Sequence, residues 1–167
     1  YEEACLAVRS LLDEHRTTTS GPAYRLTDAP CEPSPPPGRI PLLIGAKGPR
    51  RGLRVAALVA DEWNSWATVE QLRERTEVLE RHCRDLGRDP STIRRSAQAV
   101  VRFVDALVEA ARRRAAPHGR PQIVGSSAEV VDQVAAYAEA GLDELIVPDW
   151  SGGPLAARLD ALDRFQA

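Results

Sequence analysis

The 167-residue chain has no methionine, one lysine and three cysteines, and only 5% of it is aromatic. Cys5, Cys31 and Cys83 lie far apart with no Cys or His at close spacing, which suggests neither a zinc site nor a disulfide framework and fits a reduced, cytoplasmic compartment. Long hydrophobic runs are missing too. The longest, residues 40–46 and 55–60, fall far short of the roughly 20 residues that a membrane helix requires, so no membrane partner is expected. Nor does charge of one sign prevail. With 22 basic and 24 acidic residues the formal net charge is −2, and the runs Arg50-Arg51 and Arg112-Arg113-Arg114 are too short to attract nucleic acid. No signal-peptide pattern occurs. The single lysine, Lys47, sits in a glycine-containing loop.

That loop belongs to the stretch around which the rest is organised, Pro41 to Asn64, PLLIGAKGPRRGLRVAALVADEWN. A short apolar strand at 41–44 runs into Gly45-Ala46-Lys47-Gly48-Pro49, then an amphipathic helix beginning near Arg50, then a second strand at 59–63. The first N–H groups of such a helix lack internal partners and carry partial positive charge, so a phosphate is the natural guest. The pattern is neither a dinucleotide fingerprint nor a Walker loop, because the third glycine and the Gly-Lys-Ser/Thr ending are absent. From these residues alone two readings stand: an anion site, or a tight strand-to-helix turn.

Upstream, Cys5, Leu6, Val8, Leu11 and Leu12 follow helical spacing, and Tyr1 is expected to lie inside a helix that starts earlier. Thr17 to Pro22 ends that helix, Tyr24 to Leu26 is a short extended piece, and 29–39, APCEPSPPPGR, is an extended proline-rich connector. Downstream, Thr68 and Gln71 open a long helix that Gly87 closes, with His82 reading as a partly covered surface histidine. A buried strand is expected over 93–104, a helix over 105–115, a capped helix from Ser126, a strand at 144–147 and a last helix over 154–165. Strands alternating with helices argue for parallel strands joined by right-handed crossovers.

Three strings in this order, PLLIGAKGPRRGLRVAALVADEWN, HCRDLGRDPSTIRRS and IVGSSAEVVDQVAAYAEAGLDELIV, resemble the second half of the luciferase-like monooxygenase superfamily, especially its branch using the deazaflavin coenzyme F-420. The resemblance covers nearly all of the chain. It implies the C-terminal part of a TIM (β/α)8 barrel, the fourth helix followed by strands five to eight. Residues 1–28 would supply the helix and short extended piece, 29–39 the connector and 40–167 the βα units. It further implies a flavin- or deazaflavin-dependent oxidoreductase or monooxygenase acting on a small organic substrate, with F-420 or FMN as coenzyme.

By the same resemblance, Gly45, Ala46, Lys47, Gly48, Pro49 and Arg50 lie along the coenzyme phosphate, while Trp63 and Asn64 flank its ring. Relatives commonly carry four glycines before the proline. Ala46 would restrict the backbone were a positive φ needed there, and Lys47 would either reach the phosphate or point to solvent. Proton-handling residues sit on early strands in relatives, so no catalytic residue carries over, and the isolated chain is expected to be inactive. Asp61 reads as a structural hydrogen-bonder and Asp149 as a turn residue. Two alternatives stay open: a phosphometabolite-binding module, and a structural half-barrel whose open edges pair with a second copy or a separate N-terminal half.

Overall fold

The computed structural model describes residues 1–33, 39–103, 119–148 and, in the last segment, 155, 156, 159, 162 and 163. The helix expected over 105–115, together with Asp149, Trp150, the middle of the proline-rich connector and most of the last helix, lies outside the described residues. Helices are α1 (Glu2–Asp13), α2 (Gly52–Val59), α3 (Val69–Asp85) and α4 (Ser127–Glu139). Strands are β1 (Arg16–Ser20), β2 (Arg25–Pro30), β3 (Leu43–Gly45), β4 (Glu62–Trp66), β5 (Arg94–Gln98), β6 (Val100–Phe103), β7 (Gln122–Gly125) and β8 (Glu144–Ile146). The hydrogen-bonded orders are β1-β2, β3-β4-β5-β8 and β6-β7. The chain divides into two units, residues 1–63 with 77–94, and residues 64–76 with 95–167.

In the first unit α2 is apolar on nearly every side, and Leu53, Val55, Ala56, Ala57 and Val59 are buried. A helix buried all round belongs to a core, and Ile44, Trp63, Leu79 and Cys83 are buried in the same unit. The helix runs through Val59, so the second strand starts at Glu62 and ends at Trp66 rather than spanning 59–63. What fills the gap is a turn. Arg88 caps the end of α2 by donating to the carbonyls of Ala57 and Ala60 at 3.0 and 2.6 Å. Asp61 folds back on the chain, its Oδ2 accepting from the Leu42 N–H at 2.7 Å and from Arg9 at 3.0 Å, its Oδ1 from Arg39 at 2.8 Å. Asp61 is thus the structural hydrogen-bonder that the sequence suggests.

Residues 16–30 differ from expectation. The run Thr17-Thr18-Thr19-Ser20 forms β1, antiparallel to β2 with Thr17 opposite Ala29 and Ser20 opposite Arg25. β-branched residues suit a pleated surface as well as they suit a helix stop. The turn between the strands is latched to α1, whose Glu3 carboxylate accepts from the Ala23 and Tyr24 N–H groups at 3.1 and 2.8 Å.

In the second unit the single strand expected over 93–104 is two. β5 pairs in parallel with β8, Ser96 opposite Glu144 and Gln98 opposite Ile146; β6 pairs in parallel with β7, Val100 opposite Gln122 and Phe103 opposite Gly125. The change of partner falls at Ala99, whose N–H still reaches the Ile146 carbonyl while that of Val100 already reaches Pro121. A continuous apolar run cannot reveal which neighbour each half chooses. Both helix starts in this unit are as expected. Thr68 and Gln71 exchange side-chain-to-backbone bonds at 3.3 Å each way, and Ser126 with Glu129 closes a full capping box before α4. Among the described residues no helix is long and apolar enough to cross a membrane.

Candidate coenzyme site

The loop after β3 is held by its carbonyls. The Trp63 indole Nε1–H donates to the Ala46 carbonyl at 2.9 Å, the Leu53 N–H to that of Gly48 at 3.1 Å, and His82 Nε2 lies 2.7 Å from that of Pro49. A carbonyl only accepts, so His82 carries its proton on Nε2 toward the loop. In a trans peptide the C=O and the following N–H point in opposite directions. Tying the Ala46 and Pro49 carbonyls to the body of the unit therefore turns the N–H groups of Lys47 and Arg50 away from it, and neither donates to a described backbone acceptor.

The glycines of the loop serve different ends. A Cβ placed on Gly45 or Gly48 meets nothing within 4 Å, and neither residue has a positive φ, so packing and backbone strain among the described residues demand glycine at neither. Gly52, the first residue of α2, is different: a Cβ there would lie 2.9 Å from that of Ala46. Ala46 is buried and does not have a positive φ, so alanine costs the backbone nothing at that position. Lys47, Gly48, Pro49 and Arg50 are exposed. The helix begins at Gly52, after Arg51, with no side-chain cap on its first N–H groups.

Trp63 and Asn64 lie within β4, not at its end, and as strand neighbours they face opposite sides. Trp63 is fully buried in the first unit and reaches the loop through its indole N–H. Asn64 belongs to the second unit, where its Nδ2 donates to Ser96 Oγ at 2.9 Å and its Oδ1 accepts from Gln98 Nε2 at 2.7 Å. At the end of the strand the Arg120 guanidinium lies over the Trp66 ring, 4.9 Å from its centroid. Arg75 donates to the Trp66 carbonyl at 2.8 Å. His82 is partly covered, as the sequence reading has it, but its bond to the loop was not foreseen, and Ser96 and Gln98 escaped that reading altogether. For His82 the partner is 33 residues away, beyond any helical spacing. For Ser96 and Gln98 the signal was present as two polar residues alternating with apolar ones inside a strand otherwise read as buried.

An α/β architecture with parallel strands and a strand-to-helix loop after β3 is the class to which the luciferase-like barrel enzymes belong. The profile of the luciferase-like monooxygenase family matches residues 1–123, and the chain belongs to that family. A search of curated proteins gives no match. Among solved structures, an F-420-dependent secondary alcohol dehydrogenase in complex with an F-420–acetone adduct is similar at TM-score 0.69 and 20% identity, over 87% of this chain and 54% of that one. A coenzyme F-420-dependent tetrahydromethanopterin reductase from Methanopyrus kandleri gives 0.68 and 14%, over 86% and 55%. A riboflavin lyase with modified FMN and riboflavin gives 0.66 and 16%, over 91% and 48%. These likenesses establish the fold, and the chain spans about half the length of each structure.

Proposed function

We propose that this chain supplies the coenzyme-phosphate grip of a flavin- or deazaflavin-dependent oxidoreductase or monooxygenase acting on a small organic substrate. In this reading α1 is the fourth helix of a (β/α)8 barrel, and β3, β4, β5 and β8 are its fifth to eighth strands. The observation that carries it is the loop after β3, whose carbonyls at Ala46, Gly48 and Pro49 are each taken by a donor of the same unit while the Lys47 and Arg50 N–H groups turn outward. Removing carbonyl oxygens from an exposed loop face and leaving amide hydrogens there makes it a cradle for anionic oxygen. The open space above Gly45 and Gly48 leaves room for a phosphate to approach the backbone closely. Exposed Lys47, Arg50 and Arg51 add positive charge around it.

These groups fit the phosphate shared by FMN and F-420, and the similar structures include two F-420-dependent enzymes and one enzyme with modified FMN. When bound, the coenzyme supplies hydride or oxygen chemistry that no side chain can. The chain's own part is to hold the phosphate through main-chain N–H groups and to keep the loop in shape through Trp63 and His82. Complete turnover requires the remainder of the barrel, which a second chain or an N-terminal half would provide in the same reducing, cytoplasmic compartment. Titrating the purified chain with FMN, F-420 and riboflavin, followed by fluorescence, tests the grip. The expected result is tighter binding of the phosphorylated coenzymes than of riboflavin. Equal affinity for FMN and riboflavin overturns the phosphate role, and binding of inorganic phosphate or sugar phosphates with no coenzyme binding favours a phosphometabolite module instead.

A further inference from the structure

In the first unit, polar fasteners tie α1 to β1 and the turn that follows it. At one end Ser10 Oγ and Thr17 Oγ1 share a hydrogen bond at 3.3 Å. At the other the Glu3 carboxylate takes the Ala23 and Tyr24 N–H groups, and Gly21 passes so close that a Cβ on it would collide with Glu3 Oε1. Between the two fasteners the side chains leave a groove of about 600 Å³, with Leu6 and Ala7 of α1 on one side and Thr19 and Pro22 on the other. Leu6 is 44% exposed, although a helix face turned to a packed strand normally buries its leucines. The Thr19 side chain lines this groove, and its Oγ1 is buried with no hydrogen-bond partner among the described residues. Valine would suit that strand position without stranding a hydroxyl, so Thr19 leaves one hydrogen-bonding position open beside the groove.

The lining sets the class of occupant. Leu6, Ala7 and Pro22 match a hydrocarbon body. Glu2 and Glu3 are the charged residues among the described residues that line the groove, so it repels an anion and favours a cation. Glu2 is poorly compensated, its partner Arg54 standing 3.7 Å away, beyond hydrogen-bond reach. We propose that the groove binds a small apolar amine, its chain along Leu6, Ala7 and Pro22 and its ammonium donating to the Glu2 carboxylate and the Thr19 hydroxyl, both of which can accept. No residue of the 45–50 loop lines the groove, so the site is independent of the coenzyme reading.

The test is an NMR titration of the purified chain near neutral pH with n-hexylamine, n-hexanol and n-hexanoate, using wild type and Thr19→Val. Hexylamine is expected to shift the amide signals of residues 6, 7 and 19–21 saturably and to bind at least about tenfold more tightly than hexanoate, with hexanol between them. Thr19→Val keeps the shape of the strand and is expected to lower hexylamine affinity about tenfold, the size of one hydrogen bond to a charged group. Its urea midpoint should be equal to that of wild type or higher, a combination that a merely structural threonine does not give. Hexanol or hexanoate binding as tightly as hexylamine overturns the amine assignment. Saturable shifts confined to other residues, or no saturable shift at all, overturn the site, and unchanged affinity in Thr19→Val overturns the part given to the hydroxyl. The three wild-type titrations decide the ligand class even should the valine variant not fold.

Discussion

His82 Nε2 lies 2.7 Å from the carbonyl oxygen of Pro49, so a helix of the first unit holds the loop by a residue 33 positions further along the chain. The bond fixes the peptide between Pro49 and Arg50, and with it the direction of the Arg50 N–H. His82→Leu frees that peptide to turn over. FMN affinity is expected to fall about tenfold and riboflavin affinity to stay unchanged, because only the phosphate reads the N–H groups. His82→Gln, which keeps a donor at similar reach, should recover most of the loss. Parallel fluorescence titrations of the two ligands check this, and an equal loss for both would mean that His82 serves the fold and not the cradle.

Two glycines four residues apart, Gly48 and Gly52, should respond differently to alanine. At Gly48 a Cβ enters open space at a backbone angle that any residue adopts, so Gly48→Ala should leave stability within about 0.5 kcal/mol. At Gly52 the new methyl would stand 2.9 Å from the Ala46 Cβ, and a helix start must move away from a strand end to admit it. Gly52→Ala should cost about 1–2 kcal/mol in urea denaturation. Gly48→Asp separates function from fold: stability close to wild type, FMN affinity lowered at least about tenfold by a carboxylate beside the phosphate.

Asp61 joins Arg9, Arg39 and the Leu42 N–H at the junction between α2 and β4. Burial pushes its carboxyl upward, but the Leu42 hydrogen bond and the Arg39 and Arg9 charges outweigh this and hold it below the ordinary value of 3.8. A carboxyl with a lowered folded pKa binds protons more weakly folded than unfolded, so its stabilisation is present above the unfolded pKa and is lost as pH falls through the folded one. Asp61→Asn keeps the shape and loses the charge beside an almost buried Arg9. The variant should be less stable by about 2 kcal/mol near neutral pH. Its deficit should shrink as pH falls below 3.8, where the unfolded wild-type chain takes up a proton at Asp61 that the folded chain binds only at lower pH. Urea midpoints of both proteins across the acid range decide it; a pH-independent difference would point to packing instead.

Local signals carried much of this architecture. Gly87 and Gly141 end α3 and α4 with positive φ, and Ser126 with Glu129 opens α4, because caps are written in neighbouring residues. The loop after β3 was legible for the same reason. What could not be read depends on distant partners. Residues 94–103 change sheets at Ala99 according to which strand lies alongside, and 16–20 form a strand because 25–30 is there to pair with them. The direction in which the loop's amides point was equally hidden, since it follows from an indole and an imidazole far along the chain. Placing Trp63 and Asn64 at a strand end missed by three residues, because the apolar run VAALVA suits helix and strand alike.

Tyr137 on α4 offers an alkaline counterpart to Asp61. Its hydroxyl donates to the carbonyl of Ala67 at 2.8 Å, and both residues are buried. Burial and, to a lesser degree, the negative charge of Glu70 push the phenol up to about 12, against 10.0 for an ordinary tyrosine. The unfolded chain therefore sheds this proton near pH 10 while the folded chain keeps it, so stability is intact below pH 10 and declines from there toward pH 12. Tyr137→Phe removes the hydroxyl and leaves the Ala67 carbonyl without its donor, a loss of about 1 kcal/mol at neutral pH. It also removes the titration. Urea denaturation of the pair at pH 8 and pH 11 should show the variant weaker at the lower pH and the gap closing at the higher, because only wild type has a proton whose loss favours unfolding. A gap that stays constant would mean that the phenol is not held neutral by its surroundings.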